Sequence, residues 1–279
     1  MTKRKGDNMK KLIITAALVG SLPTKEQNPN VPISPDELAQ DTYECYKAGA
    51  SVVHVHARTP DGKNTHDPVI FKEIHDKIKE KAPELIVQIS TGGRAGVEFE
   101  ERSKGLWFNP EMASLTTSSC NFATSIYANA PDVVEKLATV MAEKNIKPEL
   151  EIFDTSMILA AKDLKKKGLL KEPLYFNFVM GLKGAQEADV AQLAHLINML
   201  PEGSEWNVSG VGKSQIVTTM LGIALGGHVR VGLEDNIYYS KGVPASNAML
   251  VERVARLAKE FGREIATPDE AREILGLTK

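Results

Sequence analysis

Apolar residues along the chain fall into two alternating kinds of run. Short aliphatic and β-branched blocks at residues 12–18, 51–56, 85–89, 112–117, 149–153, 174–180, 206–209 and 228–233 read as buried strands. Between them, residues 35–48, 67–81, 130–144, 156–167, 188–200, 213–225 and 245–261 show the spacing of amphipathic helices, and 268–275 forms a short closing helix. The fourth strand is the weakest of the set, and residues 98–105 read as a short polar helix or turn. Helix boundaries are written locally. Ser34 opens S-P-D-E as a capping side chain, Pro35 takes the first helical position, Glu37 closes a capping box, and Gly49 is the stop signal.

Eight strands alternating with helices predict a single-domain (β/α)8 TIM barrel over residues 1–279, in preference to a doubly wound sheet. No linker, low-complexity segment or charge block divides the chain. Residues 1–10 are expected to be a frayed tail. The basic leader before L-I-I-T-A-A-L-V-G faintly imitates a secretory signal, but no small-residue cleavage site follows, and removal would delete a good first strand. No apolar run approaches the length of a membrane span. A net charge of −2 gives no support for a nucleic-acid partner, which would need a basic face. The two cysteines, Cys45 and Cys120, show neither ligand spacing nor a disulfide framework, so a cytoplasmic location is the expectation.

Candidate chemistry gathers at predicted strand ends, where barrels of this class keep their active sites. In S-V-V-H-V-H-A-R, alternation puts His54 and His56 on one face of the second strand, a ready half of a metal site. The plain alternative is two buried histidines satisfied by hydrogen bonds. R-V-G-L-E-D-N ends the eighth strand, one strand removed in a closed barrel, so Glu234 can complete a two-histidine, one-carboxylate set that leaves a position open. Alternatively, Glu234 and Asp235 simply cap a surface loop. Asp235 beside Glu234 is a credible general base, and Arg230 can orient it or form an ordinary ion pair. Ser90-Thr91-Gly92-Gly93 ends the third strand and lets backbone N–H groups approach a carboxylate, unless it is a plain turn. Glu149 and Glu151 share one face of the fifth strand, so either can look into the barrel mouth. Gly210-Val211-Gly212-Lys213 is a candidate for the phosphates of a large cofactor, without full P-loop spacing. His66, His75 and His195 fall on loop or helix faces and read as solvated.

At this point I-T-A-A-L, H-V-H-A-R, Q-I-S-T-G-G, N-P-E-M-A-S-L and R-V-G-L-E-D-N-I-Y-Y-S-K-G together resemble the β-keto acid cleavage enzyme family, from about residue 11 to 277. The resemblance implies a TIM barrel with zinc on His54, His56 and Glu234, and acetyl-CoA as co-substrate. A β-keto acid would combine with acetyl-CoA to give acetoacetate and a new CoA thioester. Asp235, held by Arg230, would deprotonate the acetyl methyl. Ser90 and Gly93 would hold the substrate carboxylate, with Ser114 adding a hydroxyl where the best-known member has threonine. Glu151 matches a family glutamate near the site. Family analogy also implies a homotetramer.

One departure matters. The best-known member has, shortly after its first strand, a glutamate that pairs with a substrate amino group, and this chain aligns Leu22 there, in G-S-L-P-T-K. A leucine cannot pair with an ammonium, and a buried unpaired charge is costly. The expected substrate is therefore a β-keto acid with a neutral or apolar tail, not 3-keto-5-aminohexanoate. Two rivals remain on residues alone. A zinc-dependent amidohydrolase-like hydrolase would want further metal-binding histidines, and only His228 stands at another strand position. A non-catalytic metal-binding barrel would have no use for the Arg230–Asp235 pair.

Overall fold

The computed structural model describes residues 9–93, 96–122 and 124–277. Eight parallel strands close into a barrel in chain order: β1 (Ile14–Ala17), β2 (Val52–Val55), β3 (Ile86–Ile89), β4 (Met112–Thr116), β5 (Lys147–Ile152), β6 (Tyr175–Met180), β7 (Glu205–Gly210) and β8 (His228–Val231), with β8 paired back to β1. The single-domain (β/α)8 barrel is thus as the periodicity predicts. Around it run α1 (Pro35–Ala48), α2 (Pro68–Lys81), α3 (Phe99–Arg102), α4 (Pro131–Glu143), α5 (Thr155–Lys166), α6 (Val190–Met199), α7 (Gln215–Ala224), α8 (Asn247–Phe261) and α9 (Pro268–Leu275). The α1 start is the capping box read from sequence: Glu37 N–H donates to Ser34 Oγ, and the Glu37 carboxylate accepts from the Ser34 N–H. Gly49 ends it at φ 112°. No helix among the described residues is long and apolar enough to cross a membrane.

Strand alternation divides the core into two. Outward residues such as Ile14, Val53, Val87, Leu115, Leu150, Phe178, Val208 and Val229 pack under the helices in one continuous apolar layer. Inward, the N-terminal end of the barrel is filled by Ile13, Val52, Ile86, Met112 and Tyr175, and Ala271 and Leu275 of α9 plug it. The next inward layer holds Thr15, His54, Gln88, Ser114, Glu149, Asn177, Asn207 and Arg230, all polar and all buried. Barrel interiors are ordinarily dominated by branched apolar side chains. Here a polar layer lies directly beneath the C-terminal mouth.

Three features differ from expectation. The last strand stops at Val231, because Gly232 turns the chain away at φ 151°. Short hairpins, Ala57–Arg58 with Asn64–Thr65, Cys120–Phe122 with Ser125–Tyr127, and Tyr238–Ser240 with Val243–Pro244, follow β2, β4 and β8; they are too brief to show an alternating pattern. Of the expected tail, residues 1–8 lie outside the described residues. Lys10 is fastened, since its carbonyl accepts from Arg263 Nε at 2.8 Å and its ammonium meets Glu205.

Candidate active site

His54 and His56 both face the barrel axis, with ring centroids 5.2 Å apart and planes at 69°. Glu234 reaches them from the turn after β8. Gly232 is required at that turn, because a Cβ there would lie 2.0 Å from the Ala17 carbonyl oxygen. The Glu234 N–H donates to that same oxygen at 3.2 Å, while Asp235 and Asn236 N–H groups donate to the Gly232 carbonyl. Gly20 allows the close approach on the other side, since its Cβ would stand 2.4 Å from Glu234 Cγ. Arg58 holds that loop, donating from Nε and Nη2 to the Gly20 carbonyl at 3.1 and 2.7 Å.

The result is a three-residue cluster. His54 Nε2 lies 3.6 Å from Glu234 Oε2, and His56 Nε2 lies 3.4 Å from Glu234 Oε1. The candidate ligand atoms of all three fall within 4.8 Å of one another. His54 Nε2 and Glu234 Oε2 are buried without a hydrogen-bond partner among the described residues. Unmet buried acceptors are costly, and convergence on a cation accounts for both. Burial pushes His54 down to about 3, which keeps the ring neutral as a ligand must be. The donor set therefore fits a divalent cation of the zinc, manganese or iron kind.

Arg230 organises the acids around this cluster. It is buried, and its Nε and Nη2 grip Asp235 at 3.0 and 3.1 Å. Nη2 also donates to Glu234 Oε1 at 2.6 Å, and Nη1 to Glu151 Oε1 at 3.4 Å. Burial opposes the guanidinium charge, but the three carboxylates hold Arg230 well above its ordinary range. Burial would likewise raise Glu234, yet Arg230 and the two imidazoles hold it well below. For Asp235 burial wins, helped by the Glu234 charge, and the carboxyl is pushed up to about 6. One carboxylate is thus built to stay ionised beside the cluster and its neighbour to exchange a proton near neutral pH.

A cavity of about 270 Å3 opens over these groups, lined at its base by His56, Ser90, Gly92, Gly93, Glu151, Arg230, Glu234 and Asp235. Its outer wall is mostly apolar: Leu22, Phe71, Val97, Phe122, Ile126 and Leu182. Ser90 Oγ accepts from the Gly92 N–H at 3.1 Å, leaving its own proton for the cavity. Ser114 sits behind this loop, outside the cavity wall, and its Oγ accepts from the Thr91 N–H at 3.3 Å, so in this arrangement it braces the loop. Glu151 does look into the mouth, held by Thr116 Oγ1 at 2.7 Å, whereas Glu149 stays below in the polar layer, bonded to Asn207 Nδ2 at 2.8 Å. A larger surface cleft of about 580 Å3 near Lys25, Glu37 and Glu73 contains none of the clustered acids or histidines.

Several sequence readings change. His66 is a wall of the cavity, pushed down to about 4 by burial, because the hairpin after β2 folds inward over the mouth. His75 is half-buried against Phe108, and only His195 is exposed. Gly212 spends its N–H on the Asp235 carbonyl at 2.8 Å, so this turn steadies the acid and is not an open phosphate nest. His228 lies at the opposite end of the barrel, where its Nδ1 accepts from the Ile13 N–H, which removes the extra histidine an amidohydrolase-like site would want. Arg102, buried and donating to Thr91 O at 2.7 Å, and Tyr127 belong to the site's support and carried no motif of their own; Gln88, the first residue of Q-I-S-T-G-G, belongs there too, though the sequence assigns it no role. Period-two alternation from Ile86 through Gln88 to Ser90 was the available signal for Gln88.

The sequence profile described as beta-keto acid cleavage enzyme matches residues 11–277. The chain belongs to the β-keto acid cleavage enzyme family. It is 49% identical over 273 residues to 3-keto-5-aminohexanoate cleavage enzyme of Acetoanaerobium sticklandii, covering 97% of this chain and 100% of that protein. It is also 43% identical to 3-oxoadipate:acetyl-CoA acetyltransferase of Cupriavidus necator, covering 95% of this chain and 94% of the relative. Among solved structures, apo ObcA superposes with a TM-score of 0.76 at 22% identity, over 89% of this chain and 66% of ObcA, a likeness of fold. As a member of the β-keto acid cleavage enzyme family, the protein is an enzyme that transfers acyl groups.

Proposed function

We propose that this β-keto acid cleavage enzyme condenses a β-keto acid bearing a neutral tail with acetyl-CoA, releasing acetoacetate and a new acyl-CoA. The observation that carries the reading is the joining of His54, His56 and Glu234 to the Arg230–Asp235 pair at the base of one cavity. Zinc is the cation proposed for the two histidines and Glu234. When bound, it supplies Lewis-acid polarisation of a keto group.

The chain's own residues do the rest. Ser90 Oγ–H and the backbone at Gly93 receive the substrate carboxylate at the cavity base. Asp235, its carboxyl poised at about 6, takes a proton from C2 of the β-keto acid, the carbon between ketone and carboxylate, and Arg230 keeps the carboxylate aimed. The acetyl-methyl route implied by the resemblance does not reach acetoacetate, because a methyl carbanion added to the ketone can cleave only to acetate and a longer β-keto thioester. The C2 carbanion instead attacks the acetyl carbonyl carbon of acetyl-CoA. CoA passes as thiolate from that tetrahedral carbon to the adjacent ketone carbon, C3, and the C2–C3 bond then breaks. Acetoacetate leaves as its enolate and recovers the proton from Asp235, while the acyl group ending at C3 keeps CoA as the new thioester. The wall of Leu22, Phe122 and Ile126 offers no anion to a cationic tail, which supports a neutral one even though a relative's name specifies an amino acid.

The test is turnover of zinc-loaded enzyme with acetyl-CoA and a panel of β-keto acids, reading acetoacetate and the new CoA ester. Acetoacetate formation that disappears in Glu234→Gln is the expected result. A strong preference for 3-keto-5-aminohexanoate over 3-ketohexanoate would sink the tail assignment. No acetyl-CoA consumption across the panel, with metal bound, would sink the reaction.

A further inference from the structure

The register of β2 against β3 sets His54 and Gln88 as direct partners. Both side chains point into the barrel and both are fully buried. Gln88 Oε1 lies 2.5 Å from His54 Nδ1, and among the described residues no other hydrogen-bond partner of that ring nitrogen competes. With Oε1 turned to the ring as it is here, the amide oxygen can only accept, and the contact places the proton on Nδ1. A neutral imidazole has one N–H, so Nε2 is left with its lone pair facing Glu234.

We infer that Gln88 is a positioning residue of the metal site: by accepting the Nδ1–H of His54 it fixes the tautomer and ring angle that present Nε2 as a ligand. This rests on reading His54, His56 and Glu234 as the cation site. Carboxylates and backbone carbonyls commonly fill such a role behind metal-bound histidines. A carboxylate here would join Glu151, Glu234 and Asp235 around the single Arg230 guanidinium, whereas the amide orients the ring without adding a fourth anion. With the acceptor removed, the buried Nδ1–H is unmet, and moving the proton to Nε2 lets the ring donate to Glu234 instead. That blocks the ligand lone pair.

The experiment is titration of metal-free wild type, Gln88→Leu, Gln88→Glu and Glu234→Gln with Co2+, read by its visible bands, and with Zn2+ against a chromophoric chelator. Gln88→Leu is expected to bind 10- to 100-fold more weakly. Gln88→Glu keeps an acceptor oxygen and is expected to stay within about tenfold of wild type. Equal affinity in wild type and Gln88→Leu overturns the role of Gln88 and leaves the metal site standing. A wild type that binds neither ion overturns the site itself, and this inference with it. Because Gln88→Leu can fail to fold, 15N-histidine spectra of metal-free wild type give a second reading. A His54 signal with the proton on Nδ1 supports the inference, and one with the proton on Nε2 overturns it.

Discussion

Arg230 is the single cation among three acids, and replacing it tests that arrangement directly. In Arg230→Met, Asp235, Glu234 and Glu151 lose contacts of 3.0, 2.6 and 3.4 Å, and no other cation is bonded to them among the described residues. Removing one partner of a buried pair costs about 3–5 kcal/mol, because the stranded charge stays out of water. For a chain of this size that corresponds to a fall in Tm of roughly 6–20 °C. The measurement belongs in chelator, since a bound cation would partly replace the missing charge. One of the stranded carboxyls can take up a proton, so the native variant binds more protons than wild type. Its deficit should therefore be larger at pH 8 than at pH 5. Arg230→Lys keeps the charge and loses the fork that spans two carboxylates, so it should recover part of the stability. Turnover should still fall by roughly 10²-fold or more in both variants, because Asp235 is no longer aimed. Metal-free Arg230→Met within about 1 kcal/mol of wild type, together with turnover within about tenfold, would refute the reasoning.

Gly20→Ala puts a Cβ 2.4 Å from Glu234 Cγ at a φ of +58°, so Glu234 must shift; the expected result is weakened Co2+ binding with a stability loss of about 1–2 kcal/mol. Asp41 is held by Asn247 Nδ2, and burial pushes it from 3.8 up to about 6. Between those values the folded carboxyl keeps a proton that the unfolded chain has released, so stability falls as pH rises through the window. Asp41→Asn should remove that slope, gaining on the order of 3 kcal/mol over wild type at pH 8 and little at pH 4, as compared by urea melts. Arg263 donates to the carbonyls of Gly222, Ile223, Gly226 and Gly227 at the end of α7, far from the barrel mouth. Arg263→Met should lose on the order of 3 kcal/mol in a urea melt while leaving KM for acetyl-CoA unchanged.

Much of this protein was determined by local sequence. Eight strands were legible because each carries a short apolar block, and the helices because their caps and stops are spelled in neighbouring residues, as at Ser34, Glu37 and Gly49. His54 and His56 were legible for a similar reason: two positions apart on a strand means one face. The pairing of those histidines with Glu234 followed from closing the barrel, which makes β8 and β2 near neighbours.

What local sequence could not determine is the set of contacts made by residues far apart in the chain. Gln88 lies against His54 only because of the strand register, and Arg58 reaches the Gly20 carbonyl only because a hairpin folds back. His66 looked solvated because hydrophobic patterning marks helix and strand faces, and says nothing of a loop that closes over a cavity. The raised Asp235 beside the depressed Glu234 is equally beyond the sequence, since burial and one shared guanidinium set them apart and both are properties of the assembled site. Local propensity and periodicity chose the barrel. The register and the loops above it decided which of its polar residues form the site.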